Sequence, residues 1–312
     1  MTIIQWNRSE NKGYRAIYSL FLIAILIATS VLSGCGTSSS GTQTAQDSVY
    51  NRVTSSKKIR AAWITYPPAC MKTPEGKMTG IFVDTLERAA SNLGLSVEWG
   101  EEVGWGSQIE GLNTDRYDII GSPVWANPTR GRETTLSAPV YYSGIGIYVR
   151  KDDNRFGVKY DDWNLINSDK VRIVTIDGET GDLIATTQFP KAQRVSLPQT
   201  ADISQLFLNV SSNKADVLFA EPYFYYQYLK SNPDNLKNIA AQAPIRVLGN
   251  CYMFKKGESQ MKQMLDVAID DLLNSGYVDG LFKKYEGAAN AFYPVARPYR
   301  AVASAQTTNS GQ

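Results

Sequence analysis

Apolar positions along this chain keep two rhythms, one of short β-leaning runs and one of helical spacing. Ile59 to Ile64 is such a run, and Tyr66, Pro67 and Pro68 stop it because consecutive prolines cannot continue a ladder. Gly80 to Val83 leads into Leu86, Ala89, Ala90 and Leu93 at helical spacing, with Asp84 and Glu87 placed as a cap and Gly94 as the stop. Leu95 to Trp99 predicts a strand, Ser107 to Leu112 a short helix, and Tyr117 to Ile120 a buried strand that enters Gly121, Ser122 and Pro123. Strands alternating with helices in this way specify a parallel sheet.

The same grammar returns after Ile145 to Val149. A strand over Val171 to Ile176, a turn from Asp177 to Gly181, a helix over Ile203 to Val210 and a strand over Val217 to Ala220 make a second α/β unit. Val247 to Phe254 is another β-rich run, and Met261, Met264, Leu265, Ala268, Ile269, Leu272 and Leu273 form one face of a helix that ends at Gly276. The economical topology lets the runs at 145–149 and 247–254 cross between two lobes. Lobe 1 is then built from 57–147 plus 250–299, and lobe 2, inserted, from 148–249. Ligands of such sheets sit beyond the carboxyl ends of the strands, so both lobes aim at one shared cleft.

The termini follow different rules. Arg8, Lys12 and Arg15 precede an apolar run from Ala16 to Val31, too short for a spanning helix, and Leu32-Ser33-Gly34-Cys35 follows. That order is a secretory signal over 1–34, and its end resembles the lipobox of bacterial lipoproteins. The resemblance implies cleavage before Cys35, acylation of its thiol and a membrane hold through acyl chains on the periplasmic or extracellular face. Gly36 to Ser48 is almost all small and polar, so 35–56 is read as a lipidated flexible tether and 300–312 as a disordered tail.

Charge and composition remove whole classes of function. The formal net charge is +2 and no basic run survives outside the signal, which leaves nucleic acid without an electrostatic footing. The chain has no histidine, which removes the commonest general base and most zinc sites, and no cofactor or metal is expected. Once Cys35 is acylated, Cys70 and Cys251 remain as an even pair, either bridged in an oxidising compartment or buried as free thiols.

Taken in order, the motifs over residues 57–286 resemble the periplasmic solute-binding proteins of polar amino acid ABC transporters. Tyr66-Pro67-Pro68 is similar to that family's aromatic-x-Pro turn, and Gly80-Ile81-Phe82-Val83-Asp84 to its helix start. Trp105 to Leu112 with Arg116-Tyr117-Asp118-Ile119-Ile120, Asn127-Pro128-Thr129-Arg130, Ser137-Ala138-Pro139, Gly178-Glu179-Thr180 and Ala215-Asp216-Val217 with Glu221 follow at the family's spacing.

The resemblance implies an α/β two-lobed periplasmic-binding-protein fold of type II, with two mixed sheets flanked by helices and joined by two crossing strands. It also implies a monomer that closes on a small ligand and is read by an ABC permease. Arg130 would grip a ligand's carboxylate, helped by amides at the strand end and at the Gly178 turn, with Thr180 also among the ligand-binding residues, while Glu221 would pair with its ammonium and Tyr66 and Trp105 would sandwich its body.

The chain departs from the pattern at several of these positions. Trp63 stands where many members carry a second aspartate, Trp125 and Asn127 replace threonines, and Glu179 replaces a threonine or serine that touches the ligand's carboxylate. A buried carboxylate there repels a ligand's own acid group. Arg130 and Glu221 still suit a zwitterion, but with Trp63, Tyr66, Trp105 and Trp125 on one side and Glu179 and Glu221 opposite, the expected ligand is amino-acid-like or a cationic, amine-bearing molecule. The tryptophans have a second reading as core filling, Arg130 one as a surface partner of Glu133, and the aromatic run from Tyr223 to Tyr228 is expected to pack lobe 2. Phe292 to Val295 and Tyr299 are expected to strap back onto lobe 1. Two other functions fit the same pattern. One is an enzyme of the cyclohexadienyl dehydratase type, with Glu179 or Glu221 as general acid, and the other a sensory receptor for a membrane partner.

Overall fold

A computed structural model describes residues 48–156, 163–285 and 291–296, all within one unit, Asp47–Gln312. The signal, Cys35, most of the expected tether, Tyr299 and the 300–312 tail lie outside the described residues. The first described residue corrects the tether reading. Ser48 Oγ accepts from Asn51 N at 3.2 Å and opens helix α1 (Val49–Ser56), which buries Val49 and Val53 one turn apart. Two apolar residues in a polar octapeptide are a weak signal, and tertiary contact decides the matter: Arg52 of α1 pairs with the fully buried Asp118, as does Arg60.

The first half of the chain runs β1 (Lys58–Trp63), β2 (Met71–Lys72), β3 (Met78–Thr79), α2 (Ile81–Asn92), β4 (Ser96–Glu102), α3 (Gln108–Asn113), β5 (Ile119–Trp125), α4 (Pro128–Glu133), β6 (Thr134–Leu136) and β7 (Tyr141–Arg150). The second half runs β8 (Arg172–Ile176), α5 (Thr180–Gln188), β9 (Gln193–Leu197), α6 (Ser204–Ser211), β10 (Val217–Ala220), α7 (Pro222–Leu229), β11 (Leu236–Asn238), β12 (Arg246–Lys255), α8 (Ser259–Asn274), α9 (Tyr277–Tyr285) and β13 (Tyr293–Pro294). Helix α2 starts three residues before the expected cap. Gly80 takes φ +129 against Ala69 O, where a Cβ would sit at 2.3 Å, and only glycine fits. Asp84, freed from capping, accepts from Lys284 Nζ at 2.9 Å and Tyr285 Oη at 2.8 Å and so ties α9 to α2.

Parallel pairs β4–β1–β5 form one lobe and β10–β8–β9 the other. Between them β12 pairs antiparallel with β5 and β7, and β7 pairs antiparallel with β10. The two sheets of the expected fold are therefore one hydrogen-bonded path, joined where Tyr141–Ile145 pairs with Arg246–Asn250. These crossing strands are apolar and largely buried, so the few polar side chains they carry sit deep in the molecule. The far lobe is closed by Asp216, whose carboxylate takes Arg150, Arg155 and Arg172 together. Those three guanidinium groups hold it well below the usual carboxylate range, against burial that pushes the other way.

Candidate functional site

Tyr66 is the hub of the site. Its backbone closes a turn with Cys70, N to O at 2.8 Å, and its ring meets Trp105 at 5.7 Å, Trp125 at 6.3 Å and Phe224 at 4.9 Å, all edge to face. Tyr66, Trp105, Pro123, Trp125, Arg130, Glu179 and Thr180 line a cavity of about 10 Å³. A wider groove of about 900 Å³ lies on the other side of Trp105, between Thr65, Glu102 and Val103 of one lobe and Asp202, Phe224 and Gln227 of the other.

Each wall residue is held from behind. Asn127 Oδ1 accepts from Arg130 N at 2.9 Å and caps α4, with Pro128 at its first position, so Asn127 shapes the helix that presents Arg130. Arg130 Nη1 donates to Trp125 O at 3.0 Å, and Thr134 Oγ1 to Arg130 O at 2.6 Å. Burial pulls the Arg130 pKa down to about 10 although Glu179 and Tyr66 oppose it. The lobes meet where Gly106 N donates to Gln199 Oε1 at 2.8 Å. Gly178, with φ +78, faces Gly106 there, and a Cβ on it would lie 3.6 Å from Gly106 N.

Two carboxylates complete the site. Glu179 and Glu221 occupy the cap positions of α5 and α7, yet neither side chain caps its helix. Burial pushes Glu179 up to about 7, with Arg130 opposing and Glu221 and Asp182 adding to the rise. Burial likewise pushes Glu221 up to about 7, and Ser143, Tyr66 and Trp125 favour its charged form. Glu221 stands off the cavity wall, so the residue facing Arg130 across the cavity is Glu179.

Tyr66 and five residues around it carry buried polar atoms that close no hydrogen bond: both oxygens of Glu221, Glu179 Oε2, Thr180 Oγ1, Tyr66 Oη, Tyr141 Oη and Asn250 Oδ1. Native interiors leave few such atoms unpaired, and a cluster of them marks a site built for a guest.

Of the residues singled out in the sequence, the structure gathers Tyr66, Trp105, Trp125, Arg130, Glu179 and Thr180 around one cavity. It places Trp63 elsewhere, packed with Cys70, Met78 and Val83 in the core, and leaves Cys70 and Cys251 as separate buried thiols with no bridge. Phe224, expected only to pack lobe 2, meets Tyr66 instead, and Ser143, Asn250 and Tyr141 join the site without having been singled out. The signal for Ser143 and Asn250 was a polar side chain within an apolar strand run.

None of the helices among the described residues is long and apolar enough to cross a membrane. The family model for bacterial extracellular solute-binding proteins, family 3, matches residues 61–288. A probable amino-acid ABC transporter-binding protein of Haemophilus influenzae is 34% identical over 90 residues, which are 29% of this chain and 35% of that one. The L-cystine-binding protein TcyA of Bacillus subtilis is 21% identical over 88% of this chain and 97% of its own. An ancestral amino acid-binding protein, a precursor of cyclohexadienyl dehydratase, superposes with a TM-score of 0.63 at 21% identity, over 76% of this chain and 99% of that one. The fold is thus the type II periplasmic-binding-protein fold. With 61–288 matched end to end, the chain belongs to the bacterial extracellular solute-binding proteins, family 3.

Proposed function

We propose that this protein is a lipid-anchored extracytoplasmic receptor that closes around a small amino-acid-like or amine-bearing ligand and presents it to an ABC permease. The observation that carries this reading is the cluster of unpaired buried polar atoms on Glu179, Thr180, Glu221, Tyr66, Tyr141 and Asn250, set between two lobes. A ligand touching both lobes favours the closed form, since only there can Arg130 of one lobe and Glu179 of the other reach it together. The lobes of this reading are 57–147 with 250–299, and 148–249, hinged where β7 pairs with β12. Residues 1–34 serve as the export signal and Cys35 as the acylated anchor, in keeping with a family described as extracellular. Native mass spectrometry of the detergent-purified full chain tests the role. A bound small molecule that is lost from Arg130→Ala supports it, and a chain that carries and takes up no amine or amino acid defeats it.

One observation favours a second reading. Glu179 and Glu221 both sit near 7, the range of a general acid at neutral pH, as an enzyme of the cyclohexadienyl dehydratase type would need. Conversion of prephenate to phenylpyruvate by the purified chain, abolished by Glu179→Gln or Glu221→Gln, would move the assignment to catalysis.

A further inference from the structure

The charges buried at this site do not balance, and their arrangement says what the ligand carries. Arg130 is buried, with one of its guanidinium nitrogens on Trp125 O and the Glu179 carboxylate facing it across the cavity. No ion pair closes between Arg130 and Glu179 among the described residues, yet each acts on the other's charge. Glu221 is more deeply buried, 1% exposed, and no lysine or arginine of the described residues answers it. Apart from the carboxyl of Glu179, which can only add negative charge, what surrounds it is neutral: the hydroxyls of Ser143, Tyr66 and Tyr141 and the indole of Trp125. A buried charge without a partner is costly, whereas a faced one is compensated. Arg130 thus has its counter-charge inside the protein, and Glu221 has none.

Resting on the receptor reading, we infer that Glu179 stands in for a ligand carboxylate on Arg130, so that the ligand is an organic amine without an acid group, its ammonium directed to Glu221 between the rings of Tyr66, Trp105, Trp125 and Phe224. The aromatic faces suit an ammonium and the apolar body next to it. A zwitterion would bring a second carboxylate to a guanidinium already faced by one, beside Thr180 Oγ1 and Glu179 Oε2, neither of which has a partner. Glu179 is therefore the residue that sets specificity, and a chain with a neutral side chain there would accept the amino acid instead.

Pairs that differ only by the carboxyl group test this: tyrosine and tyramine, arginine and agmatine, lysine and cadaverine, each titrated calorimetrically into the full chain in detergent. In at least one pair the amine should bind about tenfold or more tightly than its amino acid. Glu179→Thr should reverse that preference, and Glu221→Gln should weaken the amine about tenfold or more. Both variants should keep the circular dichroism of the parent. A parent that prefers the amino acid in every pair overturns the inference and leaves the receptor reading intact. Heat from neither member of any pair overturns both, and an unchanged preference in Glu179→Thr removes Glu179 from its assigned part.

Discussion

Trp125 Nε1 donates to Ser143 Oγ at 3.1 Å, which joins the cavity wall on β5 to the crossing strand β7. Asn250 Nδ2 donates to the same oxygen at 2.9 Å from β12, so one hydroxyl gathers three strands, and it favours the charged form of Glu221. Ser143→Ala would leave two buried donors without an acceptor and remove a hydroxyl that favours the charged form of Glu221. A loss of about 2–6 kcal/mol is expected, from about 1–3 kcal/mol for each of the two orphaned donors, and roughly tenfold weaker ligand binding. Urea unfolding of the variant checks the first figure and calorimetry the second. Unchanged values in both would mean that Ser143 does not organise the site.

The two raised carboxylates set a pH dependence with a definite sign. Glu179 and Glu221 go from an ordinary 4.5 to about 7 on folding, so the folded chain holds protons that the unfolded chain releases. Their contribution is fully present below about pH 4.5 and is lost as pH rises through about 7, on the order of 3 kcal/mol for each. Asp216, held low by its arginines, acts the other way, its contribution being lost only in acid below the usual aspartate range. Between pH 5 and 8 the ligand-free chain should therefore melt at falling temperature, and the Glu179→Gln, Glu221→Gln double variant should melt at nearly constant temperature. A parent profile as flat as the variant's would place both carboxylates in contact with water.

Much of this fold was readable because its strands announce themselves. Val217–Ala220 lies between Asp216 and Glu221 as an unbroken apolar run, and the strand has those bounds. Edge strand β9 has a weaker pattern: only Val195 and Leu197 alternate with polar neighbours, and both are merely half-buried, so Gln193 to Leu197 is too short a signal to read alone. Helix α5 was hidden by its own start, since Gly178 to Gly181 reads as a turn, and α7 by an aromatic run whose burial is not periodic. At the site, motif order brought out Arg130, Tyr66 and Glu221. It put Glu179 at the carboxylate end with Arg130, but that Glu221 stands off the cavity wall depends on how α5 and α7 meet the other strand set. Trp63 was misplaced for a simpler reason: on β1 its side chain falls on the face toward Val83 and Met78, away from the cavity.

Both thiols should be chemically silent. Burial pushes Cys251 up to about 12 and Cys70 higher still, so neither is a thiolate at neutral pH. With Cys35 replaced by Ser to remove its thiol, an aromatic disulfide reagent should titrate no thiol in the native chain and two in denaturant, with or without reductant. Two thiols appearing only after reduction would restore the bridge between Cys70 and Cys251.

The segment just past the family match, which ends at 288, is a strap over the hinge. Tyr293 and Pro294 pair with Tyr142 and Tyr141 of β7. Phe292 packs at 5.0 Å on Tyr141, at 6.2 Å on Phe282 of α9 and at 6.1 Å on Tyr223 of α7, two residues from Glu221. Helix α9 is tied to α2 and α7 follows β10, so one side chain touches elements of both parallel strand sets and packs on the tyrosine that senses the Glu221 charge. Phe292→Ala should destabilise the chain by about 3–5 kcal/mol, the usual range for emptying a buried phenylalanine site, and should also weaken ligand binding. Ending the chain after residue 288 should do both at least as strongly. Equal stability with unchanged affinity in the shortened chain would show that residues 291–296 lie on the hinge without holding it, and that Tyr141 keeps its place through Phe82 and Phe282 alone.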